Sequence, residues 1–229
     1  MGYFPFFMEI AGKQGVIAGG GKVAARKVEK LLAFHPVLTV IAPKIEACMW
    51  EQRRHLEAHR ETLLHICERP FALSDLYGAD FVIAATDDTE VNSSISDYCR
   101  ENKIPVNVVD DKEKCTFFFP ALIKQGAFTV GISTDGKSPI AAAWAKNCME
   151  QVLPEGLGKI IDLLGQVRPE VMEAIPDEAK RKEVLTQMFY YCLEKNSPEK
   201  KEMQKDRNVT LTIEELRSFY TGSRSEGFF

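Results

Sequence analysis

Residues 14–30, QGVIAGGGKVAARKVEK, carry the spacing with the most specific chemistry in this chain. Gly19, Gly21 and Ala24 fit G-x-G-x-x-G/A, directly after the apolar run Gly15-Val16-Ile17-Ala18 and at the start of a helix-forming stretch. In that setting the first glycine permits a tight turn and the second lets backbone approach a pyrophosphate. The small third residue lets helix and strand pack closely. Free N–H groups at the helix start, aided by the dipole, hold the phosphates. A glycine triplet alone can serve plain chain reversal. The strand before it and the helix after it favour a nucleotide site.

Other groups could act beside it. Asp110 follows the fifth apolar run, on the edge where open α/β sheets bind ligands, and there it could serve as a general base. A loop aspartate capping a turn explains it equally well. Asp87 and Asp88 hold the analogous place after the fourth run, and Asp88 reads as the N-cap of the next helix. The turn Ser133-Thr134-Asp135-Gly136-Lys137-Ser138-Pro139 reads as a second helix start facing the same edge, suited to substrate carboxylates or to simple capping. Cofactor choice depends on the end of the second strand, where Ala42-Pro43-Lys44 replaces the expected acid. Lys44 could favour a 2′-phosphate or be a solvated lysine.

Several weaker patterns read as structural. His55 and His59 share a helix face with Arg53, Arg54 and Arg60, a solvated basic face rather than a metal site, and no metal is expected. Cys115 has no evident histidine partner and reads as a buried thiol. Tyr191 and Lys195 match Y-x-x-x-K but fall in a helical tail, after the strands have ended. Val184, Leu185, Met188, Phe189 and Tyr191 or Cys192 form an apolar stripe that reads as packing or a dimer face.

The elements that must position these groups alternate. Strands are expected at 15–18, 36–42, 62–67, 79–85 and 106–109, with helices at 21–33, 45–60 and 90–102. That order implies βαβ units and a parallel, Rossmann-like α/β sheet. Residues 3–10 read as an extended arm or short strand. Two further strands, 116–119 and 128–133, suggest a small antiparallel addition, and Ser138-Pro139 opens a helix. Beyond Leu153 the pattern is helical, at 157–167, 169–175 and 178–195. A charged break at 196–207, a short helix within 211–220 and a disordered tail follow. We therefore expect three segments: 1–112 for the nucleotide, 113–150 for dimerisation and substrate, and 151–229 as the helical C-terminal region.

Composition narrows the class. The chain is 45% hydrophobic and 27% charged, ordinary for a soluble globular protein, and its net charge of -4 argues against a general nucleic-acid binder. Six scattered cysteines with no C-x-x-C pair suit reduced thiols. The opening MGYFPFFMEIAGK lacks a basic n-region, and no run approaches a membrane span, so a cytoplasmic protein with no membrane partner is expected. The sequons at Asn92 and Asn208 are then chance matches.

Together these residues resemble the precorrin-2 dehydrogenase family of sirohaem biosynthesis, which includes the N-terminal part of sirohaem synthases. The stretches that carry the resemblance are YFPFF, VIAGGGKVAARKVEKLL, FVIAATDDTEVN, PVNVVDD, FFFPALI, GISTDGKSPIAAAWAK and LPEGLGKIIDLLGQVRPEV, in the family's order. The resemblance implies NAD-dependent oxidation of precorrin-2 to sirohydrochlorin, in a homodimer, with iron insertion into the product in some members. It implies Asp110 as the catalytic aspartate. Gly19, Gly21, Lys22, Val23 and Ala24 would form the cofactor turn, with Pro43, Lys44 and Thr86 beside the cofactor. Ser133, Thr134, Lys137 and Ser138 would lie near the tetrapyrrole. The chain ends without a methyltransferase region, so the full trifunctional synthase is not expected. A regulatory NAD-sensing module would also use the glycine turn, but it gives no role to NVVD or STDGKSP.

Overall fold

The computed structural model describes residues 4–59, 61–196 and 212–221. The expectations that rest on Tyr3, Arg60, the 197–207 break, the Asn208 sequon and the tail after Thr221 lie outside those residues. The chain divides into two compact units, Met1–Phe119 and Pro120–Phe229.

The first unit is a five-stranded parallel sheet ordered β3-β2-β1-β4-β5. Its strands are β1 (Gln14–Ala18), β2 (Val37–Ala42), β3 (Leu64–Glu68), β4 (Phe81–Ala84) and β5 (Val106–Val108). Helices α1 (Lys22–Leu32), α2 (Ala47–Ala58) and α3 (Thr89–Glu101) connect them, with a 3-10 turn at Leu73–Leu76 before β4. Side chains alternate across a strand, so consecutive apolar residues must each find a separate core. Ile17, Val40 and Ile83 pack with Ala24, Val28 and Leu31 of α1 and Met49 of α2 on one face. Val16, Ala18, Ile41 and Val82 pack with Ile95 and Cys99 of α3 on the other. Each such buried aliphatic side chain contributes roughly 1.5–3 kcal/mol. The continuous apolar runs of β1 and β4 thus specify central strands covered on both faces.

Residues 4–10 are an irregular arm rather than a strand. Phe4, Phe6, Phe7 and Met8 are exposed, and Ile10 alone of this stretch packs on the core. The segment 116–119 is not a strand either. Thr116 N–H reaches the Val106 carbonyl at 2.8 Å, but the answering Val106 N–H goes to the Thr116 hydroxyl at 2.8 Å. A side chain has taken the acceptor place that a backbone carbonyl fills in a ladder.

In the second unit, β6 (Ala121–Gln125) and β7 (Phe128–Ile132) form an antiparallel hairpin. Gly126, at φ +55°, supplies its two-residue turn. Helices α4 (Pro139–Val152), α5 (Leu157–Ala174), α6 (Glu178–Lys195) and α7 (Ile213–Arg217) follow. Helix α5 runs unbroken through Pro169, which sequence alone would make a boundary. Val167 and Val171, on either side of the proline, are fully buried and hold the helix in place. The stripe on α6 packs within its own unit, with Met188 and Cys192 buried against α5 and α7. Lys195 pairs with Glu215 at 2.5 Å, so the Y-x-x-x-K lysine anchors α7. Among the described residues no helix is long and apolar enough to cross a membrane.

Candidate dinucleotide site

Parallel pairing brings the carboxyl ends of β1, β2, β4 and β5 to one edge of the first unit. Backbone bonds lock the loops there. Gly19 N–H donates to the Ile41 carbonyl at 2.9 Å, Ala85 N–H to Ala18 at 2.7 Å, and Val109 N–H to Ala84 at 2.9 Å. The three glycines have separate tasks. Gly19 stands at φ +120°, and a Cβ on it would lie 2.1 Å from the Ala85 carbonyl oxygen. A Cβ on Gly20 would lie 2.1 Å from the Lys44 carbonyl oxygen, and Gly20 C=O accepts from Glu46 N–H at 2.9 Å. Gly20 therefore clamps the Pro43-Lys44 loop onto the turn, a role the motif spacing does not reveal because its second position is free.

Gly21 differs. A Cβ there would meet nothing within 4 Å. It is the N-cap of α1, with no side-chain cap and no acid in the first turn, and Ala24 behind it is fully buried. The N–H groups of Lys22, Val23 and Ala24 have no carbonyl partner within the helix, and the positive dipole end lies behind them. This cradle fits an anionic pyrophosphate. Pro43 and Lys44 are exposed at its margin.

Thr86 follows the Ala85 carbonyl that abuts Gly19. Its hydroxyl donates to Asn92 Oδ1 at 2.8 Å, and Asn92 Nδ2 returns a bond to the Thr86 carbonyl at 3.0 Å. Asn92 is buried, which removes it as a glycan acceptor and makes it the staple of this loop. Asp88 caps α3, accepting from Glu90 and Val91 N–H at 2.9 and 3.2 Å.

Asp110 sits two residues past β5, exposed and at φ +61°. Few non-glycine residues adopt that conformation, although aspartate tolerates it. Asp111 beside it is bound to Lys114 at 3.0 Å, which holds its carboxyl below the usual range. Cys115 Sγ lies 3.2 Å from both the Val108 and Asp111 carbonyls, and burial pushes the thiol upward, so it is a tie rather than a nucleophile.

Behind this edge stands a group that sequence reading passed over. Lys27 of α1 donates to Asn107 Oδ1 at 2.8 Å, with its ammonium 3.9 Å from the centre of the Phe119 ring. Burial lowers it to about 8, against the opposing pull of Cys115 and Asp110. Its only sequence signal is a charge on the packed side of α1, one position before the core residue Val28.

The turn 133–139 belongs to the second unit. Its hydroxyls are engaged locally: Ser133 Oγ accepts from Asp135 N–H at 3.2 Å, and Thr134 Oγ1 donates to the Ser138 carbonyl at 3.0 Å. Ser138 Oγ caps α4 through Ala141 N–H at 3.1 Å. Lys137 is exposed. The His55 and His59 rings meet tilted, their centres 4.5 Å apart, and among the described residues no group of three His, Cys, Asp or Glu side chains could hold a metal.

A doubly wound parallel sheet with an open glycine cradle defines a Rossmann-type dinucleotide-binding protein. An NAD(P)-binding family model matches residues 6–121, and the chain belongs to that family. It is 35% identical over 189 residues to a sirohaem synthase of Azotobacter vinelandii, covering 82% of this chain and 39% of that protein. With a sirohaem synthase of Hydrogenovibrio crunogenus it shares 38% identity over 183 residues, 80% of this chain and 38% of the other. The chain thus spans about two fifths of these relatives' length. A solved structure titled "SirC, precorrin-2 dehydrogenase" superposes with TM-score 0.64 at 20% identity, covering 96% of this chain and 98% of that one, and so shares the fold.

Proposed function

We propose that the chain is an NAD-dependent dehydrogenase that oxidises precorrin-2 to sirohydrochlorin. The observation that carries this reading is a carboxylate, Asp110, two strands away from an open pyrophosphate cradle on the same sheet edge. Similarity to sirohaem synthases and the fold shared with a precorrin-2 dehydrogenase support the substrate.

Gly19, Gly21, Lys22, Val23 and Ala24 would hold the cofactor's pyrophosphate, with Pro43, Lys44 and Thr86 flanking it. NAD, when bound, supplies the hydride acceptor. Removing a hydride from the tetrapyrrole leaves a cationic carbon framework that must shed a proton, and Asp110 would accept it. An aspartate held by backbone geometry, rather than by an ion pair, keeps its oxygens available for that transfer. The substrate's carboxylates would meet Lys137, while Ser133, Thr134 and Ser138 keep its turn in shape. Homodimeric assembly, a cytoplasmic setting and ferrous iron as a second substrate belong to the same reading, with no nucleic-acid or membrane partner.

The test is anaerobic absorption spectroscopy of the purified protein with precorrin-2 and NAD, followed by ferrous iron. Sirohydrochlorin should form only when NAD is present, and a catalysed second spectral change should follow iron. Folded, NAD-bound protein that leaves verified precorrin-2 unchanged refutes the proposal and favours an NAD-sensing module.

A further inference from the structure

We propose that Lys27 is the positioning residue for Asp110: its ammonium, set between the Asn107 amide and the Phe119 ring, pins the segment after β5 to the pyrophosphate helix. The inference rests on the dehydrogenase reading above for its catalytic part, and on geometry alone for the pinning.

Asp110 stands at the tip of a loop that leaves the sheet at Val108 and returns past Val106 through Thr116 and Phe117. Such a loop has few ladder bonds of its own, so its shape depends on side chains. Asn107 closes it, donating to the Phe117 carbonyl at 3.0 Å and to Cys115 Sγ at 3.5 Å. Cys115 in turn accepts from Val108 N–H at 3.2 Å. The Asn107 amide can make both donations only with its oxygen turned to α1, where Lys27 supplies a hydrogen at 2.8 Å. Lys27 thereby fixes which way the amide faces.

Phe119 sets the other wall. It packs against the cluster formed by α1, α2 and the sheet, and it holds the ammonium over its ring at 3.9 Å. The lysine therefore touches both the base and the far end of the loop. Burying an ammonium costs stability, and this one is pushed down to about 8 by its surroundings. A leucine or methionine would pack at that position more cheaply. The charged group makes sense as a device for orientation: it gives one helix control over both the phosphate cradle at its start and the carboxylate loop one turn along.

The experiment uses Lys27→Met in the full chain, which keeps the stem and removes the donor. Two readouts are taken. In steady-state oxidation of precorrin-2 with NAD varied up to saturation, kcat should fall at least tenfold while KM for NAD stays within threefold. In hydrogen exchange, the amides of Val109 and Thr116 should exchange at least tenfold faster while those of β1 and β2 are unchanged. An unaltered kcat overturns the positioning role, whatever the exchange shows. Faster exchange throughout the first unit also overturns it, because that is general destabilisation. If the wild-type protein itself fails to oxidise precorrin-2, the dehydrogenase reading falls, and exchange at Val109 and Thr116 alone decides whether Lys27 pins the loop.

Discussion

The division of labour among the three glycines makes Gly21→Asp a discriminating perturbation. Position 21 is the N-cap of α1, its side-chain direction is open, and the helix has no cap of its own. An aspartate there could accept from the first-turn N–H groups, replacing Gly with a better cap and adding a charge at the positive dipole end. Together those effects should stabilise the fold by about 0.5–1 kcal/mol. The same carboxylate would occupy the place proposed for the pyrophosphate. Two like charges about 4 Å apart at an effective dielectric constant near 20 repel by about 4 kcal/mol. That corresponds to about a thousandfold loss of NAD affinity. Stability and affinity should therefore move in opposite directions. Gly20→Ala is the contrasting control, because its Cβ would strike the Lys44 carbonyl oxygen at 2.1 Å and cost about 1–3 kcal/mol in unfolding. Calorimetric titration with NAD, alongside thermal unfolding, reads both effects. Wild-type affinity in a folded Gly21→Asp protein would refute the placement of the cradle.

Further predictions concern groups around both units. Asp110→Asn should abolish oxidation of precorrin-2 while NAD binding, followed by calorimetry, survives; loss of NAD affinity with unchanged chemistry at saturating cofactor would sink the assignment. Asn92→Ala should lower unfolding free energy by about 1–3 kcal/mol, measured by chemical denaturation, because Thr86 is left with unpaired polar groups. Arg217 and then Tyr220 hold the Glu170 carboxyl at about 2, so its contribution is present above the ordinary carboxylate value and is lost as pH falls from about 4.5 towards 2. Exchange of the α7 amides should accelerate across that window, and Glu170→Gln should remove the acid dependence. Lys27 acts in the same direction at higher pH: buried, and facing Arg26 and Lys30 on its own helix and Asp110 and Cys115 opposite, it sheds its proton earlier folded than unfolded. Between about pH 8 and 10.5 the unfolding free energy of the wild-type chain, measured by chemical denaturation, should therefore rise relative to that of Lys27→Met, a difference in which the opposing contribution of the buried thiols Cys99 and Cys192, both pushed up to about 11, cancels.

What the sequence by itself determined is everything that depends on local periodicity and on the ends of strands. Apolar runs too short for helices, each followed by an amphipathic stretch, specify the parallel sheet. The glycine spacing specifies the turn at its edge, and Asp110 is legible because a strand must end where Val-Val gives way to Asp-Asp. Ser138 and Pro139 likewise announce α4. Local pattern misplaced the first hairpin strand, because the aromatic run Phe117–Phe119 has strand character, whereas the actual strand Ala121–Gln125 mixes apolar and polar residues. It also broke α5 at Pro169, where two buried valines outweigh one missing hydrogen bond.

Only the tertiary structure decided which distant residues meet. Lys27 and Asn107 are 80 positions apart, one in the glycine-turn stretch and the other in NVVD, and no local pattern pairs them; only the folded chain brings the lysine stem of α1 to the end of β5. Gly20 and the Lys44 carbonyl meet because neighbouring parallel strands bring their carboxyl-end loops together. The inward stripe on α6 had no visible partner until α5 and α7 closed over it. Periodicity states that a face must be buried, but the packing of other elements determines what buries it.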